Sequence, residues 1–284
     1  MTLPDDKPLE PGLYLVATPI GNLRDITLRA LDVLARADLV LAEDTRVTGK
    51  LLSAHRIKAR LQRYDDHSGA AVRPAILARL AQGQRIALVS DAGSPLVSDP
   101  GFGLVREAAA LGLKVVPIPG ASAVLAALAV AGLPTDRFLF AGFPPPRSVA
   151  RRAVFEELRP IRSTLVFFEG ASRLGECLKD MAAVFGPRPA AVARELTKLY
   201  ETVVRGRLDV LADDPRLQTP KGEIVVLVGP GEEAGMSAAE ADAALAEAVV
   251  RLGPSEAAAE VARATGLPRR ELYRRAIALK AGRG

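Results

Sequence analysis

Six short stretches hold the residues able to do chemistry, and each follows an apolar run. They are Thr18-Pro19-Ile20-Gly21-Asn22-Leu23, Glu43-Asp44-Thr45-Arg46, Ser90 to Gly101, Pro119-Gly120-Ala121-Ser122-Ala123, Phe168-Glu169-Gly170 leading to Arg173, and Arg194-Glu195-Leu196-Thr197-Lys198. The longest, Ser90-Asp91-Ala92-Gly93-Ser94-Pro95-Leu96-Val97-Ser98-Asp99-Pro100-Gly101, mixes small residues and carboxylates with Gly and Pro. Glycine lets backbone approach a ligand closely, and proline stiffens the loop. A plain structural turn uses the same residues, so ligand loop and turn weigh about equally on this stretch alone. The 18–23 stretch is neither a dinucleotide fingerprint nor a Walker loop. The 119–123 stretch opens a helix, whose free N–H groups could receive a carboxylate or a ligand amide.

Other chemistries lack their parts. The only histidines are His55 and His67, and Asp65-Asp66-His67 reads as a solvated turn more readily than as a ligand set. Cys177 is alone, which excludes an internal disulfide and a thiolate metal cluster. No nucleophile elbow or Cys/His pair is present. What remains is a reaction on a bound co-substrate, driven by positioning and electrostatics.

The elements that must position these stretches alternate. Strands are expected at Leu13 to Ala17, Leu39 to Ala42, Arg85 to Val89 and Lys114 to Ile118. Helices fall between them, the first with Asp25 as N-cap and Leu28, Leu31 and Leu34 on its inner face. Such alternation predicts a mainly parallel sheet covered on both faces, with ligands beyond the carboxyl ends of its strands. Pro117-Ile118-Pro119-Gly120 marks a boundary, after which the pattern restarts. Further strands are expected at Phe138 to Ala141, Ser163 to Phe168, Ala190 to Arg194, Glu201 to Arg205 and Glu223 to Val228. The expected domains are 1–118, 119–231 and a helical extension over 232–284. In that extension Ser255 to Thr265, Gly266-Leu267-Pro268 and Arg269 to Leu279 read as helix, tight turn, helix.

Hydrophobic residues make up 49% of the 284 and charged ones 25%, which describes a folded globular chain. Aromatics are only 4%, with no Trp, so a surface binding nucleic acid mainly by stacking is not expected. The net charge of +5 is uneven. Residues 232–250 carry five acids and no base, whereas 251–284 carry eight Arg/Lys against three Glu. A basic end suggests an acidic partner, and a solvated helix surface explains it equally well. The first residues form no apolar signal core and no run is long enough to span a membrane, so a cytoplasmic location is expected.

Taken together, the blocks Leu15 to Leu23, Ala42 to Arg46, Ser90 to Gly101, Ile118 to Ala123, Arg194 to Lys198 and Lys221-Gly222-Glu223 resemble the tetrapyrrole-methylase superfamily of S-adenosylmethionine-dependent methyltransferases. The Thr-Pro-Ile-Gly-Asn and Glu-Asp-Thr-Arg blocks are similar to its ribosomal RNA small subunit methyltransferase I branch. The resemblance implies two α/β domains of the class III methyltransferase type, with S-adenosyl-L-methionine in the cleft between them and a small helical extension. It implies 2′-O-methylation of a cytidine in 16S rRNA at the decoding centre of the small ribosomal subunit, by a homodimer. It places Pro19 at the border of the cofactor, with Ala92, Gly93, Ser94 and Val97 lining it. Ser122 and Ala123 join at the helix start, and Phe168 and Leu196 close the adenosine side. The chain departs from the family at histidines: Asp65, Ser172 and Tyr200 stand where the family carries them, leaving His67 of that run.

Methyl transfer from a sulfonium requires an oxygen held in line and loss of its proton near the transition state. Asp44, Glu169, Glu195 and Lys198 are the candidate catalytic groups, and Arg24, Arg46 and Arg173 the candidate holders of RNA phosphate. Each has a structural alternative, an Arg–carboxylate pair tying loops together. Two other functions compete: methylation of a porphyrinoid or other small molecule, and a non-enzymatic nucleic-acid-binding regulator built on the last two helices.

Overall fold

The continuous apolar run Gly12–Val16 forms the first strand, β1, of a computed structural model that describes residues 9–65, 69–231, 238–265 and 267–281. There follow α1 (Leu28–Arg36), β2 (Leu39–Ala42), α2 (Thr45–Ala54), β3 (Leu61–Arg63), α3 (Gly69–Ala81), β4 (Arg85–Val89), α4 (Phe102–Ala110) and β5 (Val115–Ile118). The five strands are parallel in the order β3-β2-β4-β1-β5. Burial on both faces follows from the period of two. Tyr14, Val16, Val40 and Val89 pack on one side with Val33 and Leu34 of α1, and Leu13, Leu39, Leu41 and Leu88 on the other with Ile76 and Leu104.

The inner face of α1 is Ala30, Val33 and Leu34, not the expected leucine stripe, for Leu28 is exposed. The N-cap is Thr27, whose hydroxyl accepts the Ala30 N–H at 3.1 Å. Asp25 instead ends a 3₁₀ turn capped by Asn22.

The second half contributes α5 (Ala123–Ala131), β6 (Phe138–Phe140), α6 (Ser148–Leu158), β7 (Thr164–Gly170), α7 (Leu174–Phe185), β8 (Pro189–Arg194), β9 (Thr202–Arg207), α8 (Leu208–Ala212) and β10 (Glu223–Val228). Its sheet has the order β6-β7-β10-β8-β9 and is mixed: only β6 and β7 run parallel. No helix separates β8 from β9, so they can only return antiparallel. Residues up to Arg159 together with Ser163–Gly229 form one compact unit that contains both sheets.

A second unit comprises Pro160–Arg162 and Pro230–Gly284. In it α9 (Ala238–Arg251), α10 (Pro254–Thr265) and α11 (Arg269–Ala281) bury Leu245, Ala248, Ala257, Ala258, Val261, Leu272 and Ala276. Gly266 of the expected tight turn lies outside the described residues. No helix among the described residues is long and apolar enough to cross a membrane.

Candidate active site

At the carboxyl end of β1 the chain enters Thr18-Pro19-Ile20, and at the end of β4 it enters Ser90-Asp91-Ala92-Gly93. The two loops bind each other. Thr18 N–H donates to Gly93 O at 2.8 Å, Gly93 N–H returns to Thr18 O at 3.1 Å, and the Thr18 hydroxyl reaches Ser90 O at 3.1 Å. Gly93 has φ 83, a left-handed conformation that a side chain would resist. Leu96 and Ser98 also hold positive φ, at 74 and 64, so this loop keeps a strained shape that the pinning must maintain.

Beside these loops lies a cavity of ≈ 360 Å³, within the size range of small-ligand sites, roughly 300–1,000 Å³. Ala92, Gly93, Ser94 and Val97 line it from the first half of the chain. Ser122 and Ala123, Phe168, and Leu196 line it from the second half. Pro19 is not in the wall, which takes the next residue, Ile20. The wall also includes Ser98 and Asp99, Phe143, and Gly222 to Val225. Sequence reasoning left these unassigned, although Asp99 and Gly222-Glu223 stand inside blocks it singled out. Ser122 caps α5, its Oγ accepting the Leu125 N–H at 3.5 Å.

The charged candidates sit differently. Asp44 is the N-cap of α2, accepting the Arg46 N–H at 2.8 Å and pairing with the Arg46 guanidinium at 2.5 Å. That hydrogen bond and charge hold its carboxyl far below the usual carboxylate range. Asp91 Oδ1 in turn accepts the Asp44 N–H at 3.0 Å, tying the β2 exit to the β4 exit. Arg46 is exposed, as is Arg24 in the turn beyond Ile20.

Glu169 borders the cavity, but its side chain is fully buried elsewhere. Along β7, Phe167 packs with Phe155 and Phe185 of the α6–α7 layer, whereas Phe168 meets Phe140 and Phe143. By strand alternation Glu169 follows Phe167. Its Oε1 pairs with Arg173 at 2.7 Å and accepts the Gly170 N–H at 2.7 Å. Behind it lies Cys177 of α7, whose thiol pKa is pushed up by burial and then by the Glu169 charge.

Glu195 and Lys198 pair at 2.8 Å, and Lys198 Nζ also reaches Glu223 at 3.0 Å. Burial lowers the lysine pKa, but the two carboxylates outweigh it and the net shift is upward. The Lys198 hydrogen bond lowers Glu195. The lysine stem crosses Gly21, where any Cβ would run into it, and the Glu195 carboxylate fills the space a Cβ on Gly222 would need. The β1 exit, the β8 exit and the start of β10 are thus interlocked. His67 lies outside the described residues, and no cluster of metal-binding side chains occurs among the described ones.

This two-sheet architecture, with a cavity at the exits of β1 and β4, belongs to a known class of methyltransferases. The family of Tetrapyrrole (Corrin/Porphyrin) Methylases matches residues 12–212, and the RsmI C-terminal HTH domain matches 235–280. Uroporphyrin-III-C-methyltransferase of Thermus thermophilus superposes with TM-score 0.54 at 26% identity over 76% of this chain and 93% of that one. Another structure of that enzyme, complexed with S-adenosylhomocysteine, has TM-score 0.52 at 22% identity over 76% of this chain and 96% of its own. Ribosomal RNA small subunit methyltransferase I of Mesorhizobium japonicum is 51% identical over 96% of this chain and 94% of its own length. The Escherichia coli O157:H7 protein of the same name is 44% identical over 93% and 94%. The chain belongs to the ribosomal RNA small subunit methyltransferase I family.

Proposed function

We propose that the chain transfers the methyl group of S-adenosylmethionine to the 2′-oxygen of a cytidine in 16S rRNA, at the decoding centre of the small ribosomal subunit. The observation that carries this is the end-to-end likeness to ribosomal RNA small subunit methyltransferase I, which includes the C-terminal helices as well as the two sheets.

The cavity fits the cofactor in size and in chemistry. Ile20, Val97, Phe168 and Leu196 supply apolar walls for a flat base, and the N–H groups opening α5 suit a carboxylate. When bound, the sulfonium supplies an already activated methyl group. The chain then has to hold the 2′-oxygen in line and exclude water.

Partners redistribute the work among the charged groups. Asp44, held anionic by Arg46, is a poor proton acceptor near neutral pH. Lys198 is held protonated, and Glu169 faces away from the cavity. We assign Asp44, Glu169, Glu195 and Lys198 to positioning the loops. Arg24 is an exposed cation suited to RNA phosphate, as are Arg270 and Arg274 on α11, whereas Arg46, though exposed, shares its guanidinium with Asp44. The Arg173 guanidinium is committed to Glu169. By family resemblance the working form is a homodimer.

The test is transfer of labelled methyl from S-adenosylmethionine to small subunits lacking the modification, followed by nucleoside analysis. The expected product is 2′-O-methylcytidine. Cofactor binding without transfer to any rRNA would move the substrate to a small molecule.

A further inference from the structure

The chain holds eight Phe, four Tyr and no Trp, yet it leaves one phenylalanine ring in solvent at the cavity. Phe143 is 57% exposed and lines the same wall as Val97 and Phe168. Its ring meets the half-buried Phe168 edge-on, with centroids 5.5 Å apart. Phe102 and Phe138 are exposed as well, and what sets Phe143 apart is that its exposed ring lies in the cavity wall.

The backbone that presents this ring is held firmly. Gly142 takes φ 67, and its carbonyl accepts the Phe168 N–H at 2.9 Å. Pro144, Pro145 and Pro146 follow, each with restricted φ. Pro146 O accepts Arg151 Nη1 at 3.1 Å. Arg151 is itself buried and bound to Asp180 at 2.6 Å, and Asp180 also accepts the Ser148 hydroxyl at 3.0 Å. A buried ion pair thus anchors a proline loop whose outward product is one aromatic face.

We infer that Phe143 is a stacking platform for the pyrimidine base of the acceptor nucleotide, a role that rests on the rRNA methylation reading. Single-stranded RNA is recognised with its bases splayed out and stacked on aromatic side chains, and such a contact would hold the ribose, and so its 2′-hydroxyl, at the cavity. Proteins that take nucleotides out of a stack replace the lost contact with an aromatic side chain. The cofactor's own base has the more enclosed Phe168 and Leu196 available, and the solvent-facing ring remains for the ligand that arrives from solvent.

The experiment compares wild type with Phe143→Trp, Phe143→Leu and Phe143→Ala. It measures kcat/KM on small subunits lacking the modification, S-adenosylhomocysteine affinity by calorimetry, and the melting temperature. Stacking needs an aromatic plane, whereas packing needs only apolar bulk. Phe143→Trp retains most of kcat/KM, and Phe143→Leu and Phe143→Ala lose roughly 5- to 150-fold. Because Phe143 shares the cavity wall with Phe168, S-adenosylhomocysteine affinity falls somewhat in Phe143→Leu and Phe143→Ala, but by much less than kcat/KM. Full activity of Phe143→Leu overturns the inference, as does a loss of S-adenosylhomocysteine affinity parallel to the loss of kcat/KM. Should Phe143→Ala fail to fold, the Leu and Trp variants decide. A wild type that binds S-adenosylhomocysteine but methylates no subunit removes the rRNA reading, and the platform with it.

Discussion

Glu195 and Lys198 occur three residues apart, a spacing that suits either an acid–base pair or a tie. Their surroundings choose the tie: Lys198 bridges Glu195 and Glu223 while its stem crosses Gly21. Gly222, at φ 98, faces the Glu195 carboxylate. Gly222→Ala therefore combines backbone strain of about 1–3 kcal/mol with displacement of Glu195. The expected result is weaker S-adenosylhomocysteine binding by calorimetry. A second residue-scale prediction concerns Asp38, whose hydrogen bond to Arg85 lowers its pKa from 3.8 to about 2. A lowered carboxylate stabilises the fold above its unfolded pKa, and the contribution is lost as pH falls through the folded value. Wild type should exceed Asp38→Asn in urea midpoint at neutral pH, and the gap should close between about pH 4 and pH 2. The stretches that line the cavity stood out at this scale because they are loops after apolar runs, whereas the individual lining residues came from the family resemblance. The direction of Glu169 was not, since it depends on how far β7 runs past Phe167.

Elements explain which expectations moved. Asp25 is taken up in the 3₁₀ turn Leu23–Asp25, so the cap of α1 falls to Thr27, and packing on the sheet buries Ala30, Val33 and Leu34. The strand β3 escaped notice because Leu61-Gln62-Arg63 is short and only partly buried, without the apolar run of a central strand. The strand order of the second sheet was equally hidden, because β10 inserts between β7 and β8 from far along the chain. The α6–α7 layer offers a prediction at this scale. Arg151 and Asp180, with side chains 1% and 10% exposed, form a buried pair. Arg151→Met leaves a buried carboxylate with one partner fewer and should cost about 3–5 kcal/mol. Adding Asp180→Leu should recover much of that loss in chemical denaturation, because paired removal restores an apolar interior.

At the scale of the whole molecule, charge is uneven along the last helices: α9 holds three acids and one Arg, whereas α11 holds five cations and one Glu. Arg270 and Arg274 are exposed and have no carboxylate partner among the described residues, whereas Arg275 pairs with Asp242 and Glu271. Reversing both, Arg270→Glu with Arg274→Glu, should weaken rRNA binding and flatten its dependence on log salt by about 1–2 units, while S-adenosylhomocysteine affinity holds. An unchanged slope would place the phosphates elsewhere. The sequence by itself determined the alternation of strands and helices, the apolar runs that become β1, β2 and β4, and the loops at their ends, because these follow from local periodicity and turn chemistry. Only the tertiary structure decided which charges meet, which way Glu169 turns, and that Phe143 reaches the same cavity as Val97. Those outcomes depend on segments far apart in the chain, brought together by burial of both sheets, and no local pattern encodes them.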